Sequence, residues 1–258
     1  MHHPDRSLQR AHRRFGPLGA AVALALGLAA CSPAAPPGPP SPSLGILQNR
    51  PVPAFSFVDA HGQPTTLAAF RGKVLVLVPF LTLCQEVCPL TTANLLVVER
   101  TLEADHLAGR VAIVEYSVDP GRDTPARLEA YAARTGATWP LLTGSDAQIA
   151  AVDHFFYVYT QRVPEGTPPG IDWMTGKPLT YDVNHSDGFF LIDRNGHERF
   201  ATEATPSVPG HTIPPSLKKM LDSQGLQNLY APNGQTWTVP QLLDALGWLL
   251  GQPVAPLT

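Results

Sequence analysis

The feature that most constrains the fold is the segment 73–78, KVLVLV, which is apolar after its first residue. A strand with one face in water alternates apolar and polar residues, whereas a strand buried on both faces is apolar throughout. A second run, VAIVEY at residues 111–116, is apolar except for Glu115 and is also predicted to be a buried strand. Between them, Leu95, Val98 and Leu102 mark one side of a helix-like segment. This order predicts a sheet covered by helices.

Further elements follow from local patterns. We predict strands at 54–58 and 156–159, helices at 89–106, 124–134, 146–154, 214–223 and 238–251, and a hairpin formed by 188–193 and 198–201. The hairpin turn contains Asn195-Gly196, the strongest short turn signal. The predicted fold class is therefore α/β: a central mixed sheet flanked by helices, with a β-hairpin and a C-terminal helical extension.

The N-terminus has the pattern of an export signal. Arginines within residues 2–14 precede a short apolar run at 18–30, which is too short to span a bilayer. The run ends in LAAC at Cys31 and resembles a bacterial lipobox, which implies cleavage before Cys31 and lipid attachment to its sulfur. An uncleaved signal anchor with a chance cysteine is the alternative.

The segment 32–43, SPAAPPGPPSPS, is a semi-rigid tether that could reach roughly 35–40 Å. We therefore predict a lipoprotein-type signal peptide at 1–30, a lipid anchor and tether at 31–45, a folded domain at 46–201 and an extension at 202–258 whose role is open. The predicted location is extracytoplasmic, on a bacterial membrane and facing the periplasm or cell exterior.

Charge and cysteine content narrow the function. Charged residues make up 15% of the chain and the formal net charge is -3, so there is no basic footprint for nucleic acid. The chain has three cysteines. If Cys31 carries lipid, Cys84 and Cys88 are left as an isolated pair.

Cys84 and Cys88 follow a predicted buried strand and open a predicted helix. Residues four apart on a helix have Cβ atoms about 5–6 Å apart, too far for a disulfide, so Cys84 must sit in the preceding turn if the pair is to close. A helix start favours thiolate, which both redox exchange and soft-metal binding require. Two buried thiols or a structural disulfide are the alternatives, although so short a bridge adds little stability.

His185 precedes the predicted hairpin, at VNHSDG. A lone histidine is more often a surface or core residue than a ligand, so the pattern alone leaves its role open. Five other histidines have no comparable context: His61, His106, His154, His197 and His211.

Three motifs together resemble the Sco/SenC copper-binding family. Residues 84–89, CQEVCP, resemble its metal motif, and residues 117–125, SVDPGRDTP, resemble its second signature. Residues 184–186, NHS, followed by FLIDRNG at 190–196, resemble the third. The resemblance covers roughly residues 50–200, with the motifs in the expected order.

This resemblance implies a thioredoxin-like fold and a copper site, for Cu(I) or Cu(II), with Cys84, Cys88 and His185 as ligands. It implies delivery of copper to the dinuclear site of cytochrome c oxidase, with subunit II or its assembly factors as partners. Sco-like proteins are also implicated in reducing the cysteines of that site, so Cys84 and Cys88 are candidates for a reversible redox disulfide.

The chain departs from the family pattern in several places. Gln85-Glu86 stands where the family often has Pro-Asp, and Asn184 where it often has Asp. An insert at 161–180 is rich in Pro and Gly and could form a flap near His185. Met174, within the insert, suits a packing or surface role better than a ligand role.

A thiol-disulfide reductase or a peroxidase is the alternative function. Thioredoxin-like enzymes usually carry Cys-x-x-Cys, so the extra residue argues against a reductase, and His185 has no role in one. A peroxidase needs an activated thiolate near an arginine, and no matching motif is present. A structural zinc site would need a fourth ligand. The sequence therefore favours a copper chaperone over an enzyme.

Overall fold

The computed structural model describes residues 35–208, 210 and 212–256. The predicted signal peptide and Cys31 lie outside this part of the chain. The strands are β1 Ile46–Pro51, β2 Ser56–Asp59, β3 Pro64–Thr66, β4 Val74–Phe80, β5 Val111–Ser117, β6 Leu141–Thr143, β7 Thr160–Val163, β8 Asp182–His185, β9 Phe189–Ile192, β10 His197–Thr202, β11 Thr205–Pro206 and β12 Thr236–Trp237. The α-helices are α1 Cys88–Ala104, α2 Pro125–Thr135, α3 Asp146–Phe156, α4 Pro215–Lys218, α5 Ser223–Tyr230 and α6 Val239–Leu250, with a 3-10 turn at Leu67–Phe70.

Eight strands form one mixed sheet in the order β1-β10-β9-β4-β5-β6-β2-β3. Strands β4, β5 and β6 are parallel, and β9 pairs antiparallel with β4. All seven residues of β4 are buried, as its continuous apolar pattern requires for a strand covered on both faces. The predicted mixed α/β sheet is therefore confirmed.

The hairpin at the β9–β10 turn also forms as predicted. Gly196 adopts a φ of 81°, a left-handed conformation that glycine reaches without strain. The Asp193 carboxylate accepts hydrogen bonds from the backbone N–H groups of Asn195 and His197. These bonds fix the turn and the pairing of the two strands.

The predicted strand at 156–159 is wrong. Helix α3 continues through Phe156, and Tyr157 ends it with a left-handed φ of 59°. Strand β7 then begins at Thr160. The apolar residues 155–158 fit either period, and burial of Phe156 against Phe190 at 4.5 Å between ring centroids favours the helix.

The extension is part of the same compact unit as the sheet. The predicted helix at 238–251 is present as α6, which begins with a capping box of Thr238 and Gln241 and packs against α1 and β4. The predicted helix at 214–223 is only a single turn, and α5 follows it unpredicted. No helix in the described ranges has the length and apolarity to cross a membrane.

Candidate metal centre

The sheet topology brings two distant segments to one edge. Strand β4 ends at Phe80, four residues before Cys84, and β9 starts at Phe189, four residues after His185. Because β4 and β9 are antiparallel neighbours, the end of one and the start of the other lie at the same edge of the sheet. The topology therefore places the cysteine loop beside the histidine.

Cys84 lies in the turn that precedes α1, as the disulfide distance argument predicts, and Cys88 is the first residue of the helix. The backbone N–H groups of Val87 and Cys88 donate to the Cys84 sulfur at 3.4 and 3.3 Å. Pro89 stands in the first turn, where its missing N–H costs nothing. Both cysteines are free thiols, Cys84 partly exposed and Cys88 buried.

His185 ends β8, which pairs with β7 in a separate two-stranded sheet. Its Nδ1 lies 2.9 Å from the backbone carbonyl of Ser186, which can only accept, so Nδ1 donates. Nε2 therefore faces the sulfurs, at 3.5 Å from Cys88 Sγ. A carbonyl that orients the ring in this way is the usual support of a metal-binding histidine.

The three donor atoms lie within 4.8 Å of one another. Donors bound at roughly 2.0–2.3 Å to one ion lie about 3–4 Å apart, so small movements suffice for all three to bind one ion. Two sulfurs and an imidazole suit soft metal ions. Of the described histidines, His185 alone belongs to such a group.

Mutual contacts shift the pKa values of all three groups. The hydrogen bond from Cys88 lowers the pKa of Cys84 well below its ordinary value, burial opposes this, and His185 reinforces it. Burial raises the pKa of Cys88 well above its ordinary value. Burial also acts to lower the pKa of His185, but its contacts with Cys84 and Asp187 raise it to about 9. Metal binding here therefore releases protons.

A cavity of about 260 Å³ is lined by Cys84 and His185. Its lining includes three acidic residues, Glu86, Asp182 and Asp187. Burial, together with the nearby charges of Cys84 and Asp222, raises the pKa of Glu86 to about 7. A cavity lined by acidic side chains attracts cations and repels anions.

A buried carboxylate holds the chain just before Cys84. Asp123, in the segment 117–125, accepts hydrogen bonds from the backbone and hydroxyl of Thr82 and from the hydroxyl of Ser117. Burial raises the pKa of Asp123 to about 6 despite these bonds. The sequence pointed to this segment only as a motif, because nothing local predicts that it reaches Thr82.

The insert contacts the cysteine side of the site as well as the histidine side. It begins in β7, which pairs with the strand of His185, and the Trp173 indole donates to the Thr82 carbonyl at 2.7 Å. A bidentate ion pair between Arg127 and Asp172 anchors this part of the insert. Met174 is 49% exposed.

These features define a mixed α/β domain with a cysteine pair at a helix start and a distant histidine, the arrangement of a thioredoxin-like protein with a soft-metal site. The SCO1/SenC family model matches residues 46–221, and the chain belongs to that family. The resemblance and the thioredoxin-like fold are confirmed.

Known relatives agree with this assignment. The chain is 31% identical over 157 residues to the mitochondrial Protein SCO2 homolog of Mus musculus, a match covering 61% of this chain and 60% of that protein. It is 30% identical over 154 residues to the SCO1 protein homolog of Bacillus subtilis, covering 58% of this chain and 76% of that protein. The chain thus spans about three fifths of the mouse relative's length.

A solved structure with a similar fold is that of Bradyrhizobium japonicum ScoI with copper bound. It has a TM-score of 0.50 and 26% identity, and the match covers 71% of this chain and 99% of that one. The shared region therefore includes nearly the whole of the solved domain.

Proposed function

We propose that this chain is a copper metallochaperone for assembly of the dinuclear copper site of cytochrome c oxidase. The observation that carries the proposal is the convergence of Cys84, Cys88 and His185 within 4.8 Å, although Cys88 and His185 are 97 positions apart. Membership of the SCO1/SenC family and the likeness to a copper-bound ScoI support it.

Copper is the cargo in this proposal, and the donor set fits it. Two thiolates and an imidazole hold Cu(I), and with an added oxygen or water they also hold Cu(II). The acidic opening attracts the ion, and Ser186 keeps the imidazole turned towards the sulfurs. A reductase reading leaves His185 without a role, so the geometry favours the chaperone.

We also propose that the protein is an extracytoplasmic lipoprotein anchored through Cys31. The basic start, the apolar run and the LAAC segment support this, and the Pro-rich tether supports a domain held off the membrane. Cys31→Ser should release the protein from membranes or stall its processing. A native protein that is wholly soluble with an unmodified Cys31 would contradict the anchor.

Anaerobic copper titration with thiol counting tests the chaperone function. We expect one copper per chain, with Cys84 and Cys88 both protected from a thiol reagent at the end point. Cells lacking the protein should assemble little active oxidase, and the wild-type gene should restore it. A stoichiometry well below one copper, or thiols that stay reactive when copper is bound, would contradict the proposal.

A further inference from the structure

The first two of the three residues between the cysteines, Gln85 and Glu86, turn their backbone carbonyls towards the C-terminal extension. The N–H of Asp222 donates to the Gln85 carbonyl at 3.0 Å. The side-chain amide of Asn228 donates to the Glu86 carbonyl at 3.5 Å. Both donors belong to α5 or its N-cap. The loop between the cysteines is therefore tied to a helix more than 130 residues away in sequence.

Gly225 makes this approach possible. A Cβ at this position would lie 2.2 Å from the Gln85 carbonyl oxygen, which is closer than any real contact. Gly225 is buried inside helix α5, where glycine costs about 1 kcal/mol relative to alanine. Glycine at this position therefore allows the backbone of α5 to lie close to the cysteine loop.

The insert holds the same residue through its side chain. The Gln85 amide donates to the Ile171 carbonyl at 3.1 Å. A Cβ on Gly170 would lie 2.5 Å from the Gln85 side-chain oxygen, so the insert backbone also passes closely. We call Gly170, Ile171, Asp222, Gly225 and Asn228 the clamp.

The clamp fixes the loop in one arrangement. In that arrangement the Cys84 sulfur accepts the N–H groups of Val87 and Cys88, and Cys88 lies 3.5 Å from the imidazole. A disulfide needs the two sulfurs at about 2.05 Å with defined torsion angles, closer than in the two free thiols seen here, so the clamp opposes any part of the closure that moves the loop backbone. Any movement that shifts the Gln85 carbonyl strains its contacts with α5.

We propose that the clamp is a positioning device that favours the metal-ready dithiol over the Cys84–Cys88 disulfide. The inference deepens the proposed function, on which its biological meaning rests. The reaction it opposes is balanced: the two thiols lose two protons and two electrons, one S–S bond forms, and one glutathione disulfide is reduced to two glutathione thiols.

The test is the equilibrium between dithiol and disulfide in glutathione buffers, followed by mass spectrometry of the metal-free protein. Gly225→Ala forces α5 away from Gln85, so we expect the equilibrium to move about tenfold towards the disulfide, as for loss of roughly one hydrogen bond. Gly109→Ala is the matched control, because no atom lies within 4 Å of its added Cβ. Gln227→Ala controls for changes elsewhere on α5, where Gln227 is exposed.

A second variant covers the case in which Gly225→Ala does not fold. Gln85→Ala removes the side-chain contacts with Gly170 and Ile171 but keeps the backbone bond to Asp222, so we expect a shift of about threefold in the same direction. An unchanged equilibrium in the folded variants, or a shift towards the dithiol, would overturn the clamp. Because the measurement uses no copper, failure of the clamp and failure of copper binding are separate results.

A spectroscopic readout distinguishes positioning from a general loss of stability. The Cu(II)–thiolate absorption of Gly225→Ala should shift or broaden, while that of Gly109→Ala should match wild type. Identical spectra in all three proteins would count against a role of the clamp in placing the sulfurs.

Discussion

The two segments that form the metal centre are built differently. The cysteines are placed by their own neighbourhood: Cys88 opens α1, and its N–H and that of Val87 hold the Cys84 sulfur. His185 is placed by a small separate sheet, because β8 pairs only with β7 among the described strands. The cysteine pair is therefore placed by local structure and the histidine by tertiary structure.

This difference predicts how strongly single substitutions disturb the position of each segment. The cysteine loop is tied to the helix start, to Asp123 through Thr82, and to the clamp, so single changes outside the ligands should have graded effects. The histidine segment is held by the pairing of β8 with β7 alone and by the bonds of Ser186 with Tyr159 and Glu203. Its position should be the easier of the two to disturb.

The largest effect is expected on the cysteine side. Cys84→Ser replaces a soft thiolate with a hydroxyl, so copper affinity should fall by more than about a hundredfold, beyond what loss of an outer contact costs. Competition titration against a Cu(I) chelator measures this. Cys31→Ser makes the same atomic change outside the described residues and should leave the affinity unchanged. Full copper stoichiometry in Cys84→Ser would contradict the ligand assignment.

His185→Ala should separate the two oxidation states. Two sulfurs can still hold Cu(I) in a linear arrangement, whereas Cu(II) prefers nitrogen and oxygen partners in higher coordination. We expect Cu(II) affinity to fall by more than about a hundredfold and Cu(I) affinity by about tenfold. Loss of the Cu(II)–thiolate absorption and of oxidase assembly in cells are the measurements.

His154→Ala is the matched control for this experiment, because His154 is exposed on α3. It should keep both the absorption and oxidase assembly. If His185→Ala also keeps both, the three-ligand chaperone is wrong and a thiol reductase becomes the better explanation.

A smaller effect is expected from the support of the histidine. Ser186→Ala removes the hydroxyl that accepts from the Tyr159 N–H at 3.1 Å and donates to Glu203 at 2.8 Å. The imidazole proposed as the ligand remains, so copper affinity should fall about threefold to tenfold. Ser56→Ala, at an exposed position of β2, is the control. An affinity equal to wild type would show that β7 and β8 alone hold His185.

A change at Glu115, which lies against helix α1, should affect copper binding least but should clearly affect stability. Glu115 is fully buried on β5 and accepts from Trp139 at 2.8 Å and from Thr92 of α1 at 3.4 Å. Burial raises its pKa from 4.5 to about 7. Its contribution to stability is therefore full below about pH 4.5 and is lost as the pH rises through about 7.

Glu115→Gln should remove this pH dependence, because the amide oxygen can still accept from Trp139 and does not ionise. Compared with wild type, the variant should gain about 2–3 kcal/mol of unfolding free energy between pH 4 and pH 8. Urea unfolding at the two pH values measures the gain. Asp153, buried beneath β7 with a pKa raised to about 6 by burial, is the histidine-side counterpart. If the difference in unfolding free energy between Glu115→Gln and wild type does not change with pH, the raised pKa of Glu115 is contradicted.

The same contrast explains what could be predicted from the sequence. The buried strand at 74–78, the helix start at Cys88 and the hairpin turn at Asn195-Gly196 depend on neighbouring residues, so local patterns identify them. His185 came from the family resemblance, because its partners are separated from it by many residues. Its pairing with the cysteines needs the β4–β9 register, which no local pattern encodes.

The errors have the same origin. The segment 156–159 has an apolar pattern that suits helix or strand, and packing of Phe156 decides for the helix. Helix α5 was missed because Gly225 and polar residues weaken its local signal, while contacts with the cysteine loop stabilise it. The role of the extension therefore could not be inferred without the structure.

The long separation between Cys88 and His185 has a consequence for chain entropy. An ion bound to both closes a loop of 97 residues, and a cross-link of that span restricts the unfolded chain by roughly 4–5 kcal/mol in the loop-closure treatment. The loaded protein should therefore unfold at a higher temperature than the empty one, and His185→Ala should lose most of that difference. Release of the ion removes this restriction on the unfolded chain, so ion release and unfolding of the domain are thermodynamically linked.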